Sequence, residues 1–349
     1  MLKVGIIGHS KSGKTTIYNA VAGANADVDA YLGREEVRRA MVKAPDERLD
    51  RLFSLFNPPK KISAEIEYID FPALTGDASE VQLLPPAIRD LDMLVVVLRE
   101  FGDKPDPARD WRTITDELIL ADLVVVEKRI TRLAKEIESG RMDNKLEYDA
   151  LLRRQKALEE GQSIRTVTIL PAEKKMMRGY GFVSGMPVMA LINASDTGSL
   201  KSSDEWGKTL NLGPHAGVHI VRGKLEAELA TFDAADREAF MSDYGLTNSA
   251  LDGMIAACYS LLGLITFFTG GSEKDVHAWT VRHGAAAPEA AGAIHSDFEQ
   301  GFIRAEVTPV EDLLSLGSLA AAKKAGKSRL EGKEYIVLDG DYILFRFNI

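Results

Sequence analysis

Leu2-Lys3-Val4-Gly5-Ile6-Ile7-Gly8-His9-Ser10-Lys11-Ser12-Gly13-Lys14-Thr15-Thr16 is the stretch that decides the fold. A short apolar segment runs into G-x-x-x-x-G-K-T and then into helix-forming sequence. That order predicts a buried parallel strand, a glycine-rich turn and a helix N-terminus, which together cradle a nucleoside triphosphate. With glycine at ~7% of residues, chance places this pattern in roughly one chain in a hundred of this length, and less often with the correct flanks.

The chemistry accounts for each position. Gly8 and Gly13 allow the loop to close on a phosphate, because a Cβ would obstruct the turn. Successive amides through His9, Ser10, Lys11 and Ser12 are expected to form an anion nest, reinforced by the positive end of the following helix. Lys14 is expected to reach the β- and γ-phosphates. The Thr15 hydroxyl is expected to ligate Mg²⁺, which keeps most of its waters and takes few protein ligands. Thr16 completes the candidate nucleotide-binding set, Gly8 to Thr16.

The chain has 349 residues, enough for two or three domains, and 45% are hydrophobic. Lys plus Arg number 43 against 52 Asp plus Glu, a net charge of −9. This balance disfavours uniform coating of nucleic acid, so no DNA partner is expected, while a local basic patch stays open. The single cysteine, Cys258, rules out a disulfide framework and fits a cytoplasmic protein. No signal peptide is expected, since the strand begins at Leu2. The longest apolar run, Leu94 to Leu98, is far too short to span a membrane.

Farther along, Thr15–Ala22 reads as a helix, residues 24–61 as polar and irregular around a helical piece at Glu47–Phe56, and Ile62–Ile69 as a strand with one exposed face. Asp92–Leu98 and Val188–Ile192 read as buried strands. The alternation predicts an α/β nucleotide-binding domain. Ile119, Leu123, Val126, Ile130, Leu133 and Ile137 form a heptad seam. Ser139-Gly140 ends it and a charged helix follows, so residues 113–165 are read as an antiparallel helical hairpin with an internal seam. It interrupts a nucleotide core made of residues 1–112 and 166–264. Residues 265–349 form a further domain with a helix near Pro288–Ile294. Asp339-Gly340 predicts a terminal hairpin between Tyr335–Leu338 and Tyr342–Phe347.

Three more segments complete the candidate site. Asp70 ends the strand before Phe71-Pro72-Ala73, where a carboxylate holds Mg²⁺, usually through water. Asn193-Ala194-Ser195-Asp196 follows a buried strand, where a GTPase carries N-K-x-D. A well-placed Asp196 would select guanine through donors that adenine lacks. Arg222-Gly223-Lys224 is placed like the last base-contacting loop. The assignments are therefore Lys14 and Asp70 as catalytic, Thr15 and Asp70 as metal ligands, and Asn193, Asp196, Arg222, Gly223 and Lys224 as further nucleotide contacts. The six histidines show no metal-ligand spacing.

The chain resembles the YchF/Obg-like ATPase family over essentially its whole length. The resemblance is carried by Pro45–Asp50, by Ala121–Arg129, and above all by His277–Arg282, Ala287–Val307 and Gly332–Gly340. It implies an α/β fold: a P-loop GTPase-like core, an inserted antiparallel α-helical hairpin and a C-terminal α+β β-grasp (TGS) domain. It also implies slow Mg²⁺-dependent hydrolysis of ATP or GTP and association with ribosomes or RNA through the TGS domain and hairpin, as a switch in translation or stress response. Two other readings stay open: a hydrolysis-deficient nucleotide-binding scaffold that binds RNA or protein, and a GTPase using Asn193 and Asp196. The family favours ATP, the Asp196 carboxylate favours GTP, and ATP is placed ahead as the family default.

Several positions depart from the family. Lys11 stands where the family's phosphate loop has Asn, a residue that can help hold a monovalent cation in related GTPases; activity independent of K⁺ is expected. Arg34 falls near the first-switch Thr. Pro72 and Ala73 replace part of D-x-A-G, the following glycine-rich run becomes Ala78 to Pro86, and Leu74 stands where Ras-like enzymes place the water-orienting Gln. The segment from Gly102 to Asp110 lacks the family's histidine. The grip on the α- and β-phosphates is thus intact, while the parts that sense the γ-phosphate are altered. Tight binding with very slow turnover is expected.

Overall fold

The computed structural model describes residues 2–23, 37–74, 84–139, 145–197, 199–232, 234–243 and 249–348. Arg34, Gly140 and most of the run from Ala78 lie outside the described residues. The chain divides into two compact units: Met1–Val42 with Ile66–Met254, and Lys43–Glu65 with Ile255–Ile349.

The first unit is built on a six-stranded sheet. Its strands are β1 (Leu2–Ile7), β2 (Arg38–Lys43), β4 (Glu65–Asp70), β5 (Met93–Glu100), β6 (Val188–Ala194) and β7 (Ala216–Val221), in the order β2-β4-β1-β5-β6-β7. The neighbours β4-β1-β5-β6-β7 pair in parallel. Val4, Ile6 and Ile7 are buried, so β1 is covered on both faces as its sequence predicts. Helix α1 (Lys14–Ala22) follows β1, and α6 (Ser203–Thr209), α7 (Gly223–Leu229), α8 (Ala234–Asp243) and α9 (Ala250–Leu261) follow the later strands.

Between β5 and β6 stand α3 (Pro107–Glu138), α4 (Lys145–Glu159) and the short α5 (Lys174–Arg178). Asp106 caps α3 by accepting from the Arg109 N–H, and Pro107 takes the first helical position. Thirty-two residues make α3 about 48 Å long. Its seam residues Ile119, Val126 and Leu133 are buried against Ala150, Leu151 and Leu158 of α4, with Met177 and Phe182 closing the cluster. Arg129 forks onto Glu147 at 2.8 and 2.9 Å. Asp122, fully buried on α3, accepts from Arg89 and from the Val183 and Ser184 amides.

The second unit holds a sheet of β3 (Lys61–Ile62), β8 (Leu264–Gly271), β9 (Lys274–Arg282), β10 (Phe302–Pro309), β11 (Arg329–Glu331) and β12 (Asp341–Phe347), in the order β11-β10-β12-β8-β9-β3. Phe267 and Phe268, adjacent on β8, enter opposite cores. One contains residues of α10 (Ala287–Ile294); the other contains Leu49 and Leu52 of α2 (Glu47–Phe56) and Leu313 of α12 (Val310–Leu316). Helices α11 (Ser296–Gln300) and α13 (Leu319–Lys324) complete the unit.

Three sequence expectations change. Arg38–Lys43 is a strand where irregular chain is expected. Ile62–Ile69 divides into β3 and β4, and β4 is buried from Ile66 through Asp70; Glu67 enters this face because Arg39 bonds its carboxylate at 2.7 Å. The terminal hairpin does not form. Strand β12 pairs with β10 on one side and β8 on the other, so neither edge is free for Tyr335–Leu338. That segment bridges from Ile336 to Ala286 instead. The Asp339 carboxylate accepts from the Thr266 N–H at 2.8 Å and pairs with Arg48.

Candidate functional site

Parallel pairing brings the carboxyl ends of β1, β4, β5, β6 and β7 to one edge of the first sheet. Strand order reverses around β1, which lies between β4 and β5, and ligands of open α/β sheets bind at such a point. Gly8–Thr16 leaves β1 there, Asp70 ends β4, Asn193 lies near the end of β6, and Arg222-Gly223-Lys224 follows β7.

The phosphate-loop geometry explains its glycines. A Cβ on Gly8 would lie 2.8 Å from the Val97 carbonyl oxygen and 2.9 Å from Ser12 Oγ. Gly13 has φ of 86°, and a Cβ there would sit 2.1 Å from Asn193 Nδ2. Lys11 adopts φ of 64°, a left-handed conformation unusual for a non-glycine residue. Ser10, Lys11, Thr15 and Thr16 are exposed, while Ser12 and Lys14 are buried. Helix α1 begins at Lys14 with Gly13 at its N-cap and no side-chain cap, so no side chain takes up its first amides.

Lys14 is 8% and Asp70 5% exposed, and they form an ion pair. The Lys14 ammonium also donates to the Phe71 carbonyl. Removing the carboxylate alone would leave a buried cation, a loss of about 3–5 kcal/mol. The segment after Asp70 is laced to the loop: the Phe71 N–H donates to Ile6 O and the Leu74 N–H to Gly8 O, both at 3.1 Å. His9 Nδ1 lies 3.3 Å from Leu74 O. Leu74 is therefore a buried, backbone-anchored residue.

Asn193, 4% exposed, spends both ends of its carboxamide on protein. Nδ2 donates to Ser12 O at 3.0 Å, and Oδ1 accepts from the Gly223 N–H at 3.0 Å. It joins the phosphate loop to the start of α7. Asp196 and Lys224 meet at 3.6 Å with side chains 42% and 75% exposed, a weak solvated pair. Arg222 stands at the N-cap of α7.

A divalent cation fits this donor set. Among the described residues no three His, Cys, Asp or Glu side chains form a metal cluster. The exposed Thr15 hydroxyl and the Asp70 carboxylate are two oxygen donors at this edge of the sheet, a sparse set that suits Mg²⁺ with its retained waters better than Ca²⁺ or Zn²⁺.

Sequence reasoning passed over three groups. Tyr18, one helical turn beyond Lys14, is 2% exposed, and its hydroxyl has no hydrogen-bond partner among the described residues. The Glu117 carboxyl is pushed up by burial, with His9 opposing. Glu226 of α7 accepts from Ser249 Oγ at 2.6 Å and from the Ala250 N–H at 2.9 Å, capping α9. Only Tyr18 carries a readable signal, its i+4 spacing from Lys14. Several basic residues near the C-terminus are matched by carboxylates: Lys323 and Arg346 with Glu306, Lys327 with Asp312 and Arg329 with Glu331.

The Bacillus subtilis "Ribosome-binding ATPase YchF" is 39% identical over 365 residues, covering 100% of both chains. The chain belongs to the YchF/Obg-like ATPase family. The Caenorhabditis elegans "Obg-like ATPase 1" is 33% identical over 366 residues, covering 99% of this chain and 92% of the relative. The YchF-GTPase_C family, described as a protein of unknown function (DUF933), matches residues 264–348. Among solved structures, the Schizosaccharomyces pombe YchF GTPase superposes with a TM-score of 0.78 at 27% identity, covering 99% of this chain and 97% of that one. The expected family fold, a P-loop GTPase-like core with helical and C-terminal additions, is therefore the fold of this YchF/Obg-like chain. No helix among its described residues is long and apolar enough to cross a membrane.

Proposed function

We propose that this YchF/Obg-like protein is a slow, Mg²⁺-dependent ATPase that acts as a nucleotide switch at the ribosome. The observation that carries the reading is the buried Lys14–Asp70 ion pair at the switch point of the sheet, where the Gly8–Thr16 loop leaves β1. The names of its full-length relatives supply the ribosome and favour ATP. Gly8–Thr16 would hold the phosphates, with Lys14 leaving Asp70 for the β- and γ-phosphates. Thr15 and Asp70 would hold Mg²⁺, which neutralises developing phosphate charge when bound. Ala73 retains a backbone N–H for the γ-phosphate. Leu74 offers no group to orient water, which supports slow turnover.

The test combines three measurements. ATP with Mg²⁺ is expected to raise the melting temperature, since binding to the native state alone stabilises it. Lys14→Ala is expected to abolish that rise and phosphate release. Co-sedimentation with ribosomes is expected to change between ATP and ADP. Absence of any nucleotide-induced shift in the wild type would refute the reading. A GTP reading is favoured by the exposed, loosely paired Asp196 carboxylate; stronger protection by GTP, lost in Asp196→Ala, would select it.

A further inference from the structure

Helix α3 is committed on two faces and open on a third. Ile119, Val126 and Leu133 enter the hairpin seam, and Trp111, Ile114 and Leu118 enter the core of the first sheet. Asp116, Leu120, Val124 and Lys128 follow one another at i+4, so they form one continuous row. At about 100° per residue, that row lies about 120° round the helix from the seam. All four residues are exposed. Val124, at 56%, is the most exposed large apolar side chain among the described residues, and Leu120 is 49% exposed. The charged ends of the row are open too. Among the described residues neither Asp116 nor Lys128 forms an ion pair, while Arg129 and Arg132 of the same helix do. Arg112, one turn before Asp116, donates to the Ala108 carbonyl instead.

The row reads anion, apolar, apolar, cation, and that order is complementary to itself when reversed. A two-fold axis opposite residue 122 sets Leu120 beside Val124 of a second copy, and Asp116 beside Lys128 of that copy. The same contact with the helices parallel would set aspartate against aspartate and lysine against lysine. We propose that this face of α3 docks on the same face of a second copy of the chain, with the two helices antiparallel. A partner of one charge sign, such as a nucleic-acid backbone, would satisfy only one end of the row. Packing of i±4 rows crosses two helices at about 50°. They then diverge beyond two or three turns, which keeps Arg112 away from Arg132 of the second copy, and Arg132 is itself bonded to Glu136 at 3.0 Å. So short a contact buries less than the roughly 800 Å² per partner of a standard interface, and the dimer is expected to be weak and salt-sensitive. The proposal stands apart from nucleotide binding at the loop.

The experiment is sedimentation equilibrium of the full chain over about 10 to 500 μM, a range suited to a contact of this size. The wild type is expected to dimerise reversibly, and less so in about 0.5 M NaCl. Asp116→Lys places lysine opposite lysine at both ends of the contact, and Lys128→Asp places aspartate opposite aspartate. Each variant alone is expected to associate about tenfold more weakly or worse. An equimolar mixture of the two restores opposite charges at both ends and is expected to regain wild-type association as a heterodimer. Asp116→Lys combined with Lys128→Asp in one chain is expected to regain it as a homodimer, and Leu120→Asp to abolish it. These side chains are exposed, so far-UV circular dichroism and melting temperature are expected to stay at wild-type values, which separates lost association from lost folding. A wild type that stays monomeric throughout the range overturns the proposal. Association that the single reversals leave intact, or that their mixture fails to restore, overturns it as well. A monomeric wild type whose co-sedimentation with ribosomes is lost in Leu120→Asp would give the face to a ribosomal component instead.

Discussion

Replacing Asn193 by alanine tests whether the first unit is held together at its nucleotide edge by one side chain. The Asn193 carboxamide bonds Ser12 O and the Gly223 N–H, each at 3.0 Å, and the residue is almost wholly buried. Two neutral hydrogen bonds are worth ~1 kcal/mol each, and truncation also leaves a donor and an acceptor unpaired, for a total of about 2–4 kcal/mol. That corresponds to about a 30- to 1,000-fold fall in the folding equilibrium of this unit. Urea unfolding of ligand-free protein measures it directly. Asn193→Asp provides an isosteric check: it keeps the acceptor for Gly223 but turns an oxygen toward the Ser12 carbonyl, so it is expected to be at least as costly. If Asn193→Ala unfolds within about 0.5 kcal/mol of wild type, the bridging argument fails. Loss of nucleotide affinity with unchanged ligand-free stability would instead mark Asn193 as a base-contacting residue alone.

Three further outcomes are expected. Hydrogen bonding by Arg129 holds the Glu147 carboxyl below its ordinary value of 4.5, so this pair stabilises the hairpin above that pH and is lost as pH falls through the lower folded value; Glu147→Gln is expected to lower stability at pH 7 and to flatten its loss in acid melts. Glu173, fully buried between Arg153 and Arg154, neutralises an equally buried guanidinium. Glu173→Ala is expected to cost about 3–5 kcal/mol in thermal unfolding, and Glu173→Met with Arg154→Met to recover most of it, a rescue whose absence would refute charge matching. Turnover is expected to be equal in K⁺ and Na⁺, because Lys11 places an ammonium in the phosphate loop; clear stimulation by K⁺ would count against that role.

Much of the nucleotide edge was legible because its signals are local. A glycine beside a lysine and a threonine reports a loop whose shape is set within nine residues, and β1 and α1 flank it as read. The heptad seam from Ile119 to Ile137 was equally legible, since helical periodicity is a property of one segment. Asp70 was placed by its strand end. Tyr18 was not read, because a tyrosine at helical spacing reports packing whether or not its hydroxyl finds a partner.

Sequence alone therefore determined the phosphate loop, the strand and helix around it, the helical seam and the family resemblance. Tertiary structure decided which distant groups met. Asn193 reaches a carbonyl 181 residues away and an amide 30 residues away, and no local pattern names either. Residues 43–65 pack with the C-terminal sheet because Leu49 and Leu52 find Phe268 and Tyr342 there. The Asp339-Gly340 turn signal was correct as a turn, yet it joined no hairpin, because β10 and β8 had already taken both edges of β12. A strand has only two edges, and competition for them is settled by the whole chain rather than by the residues at the turn.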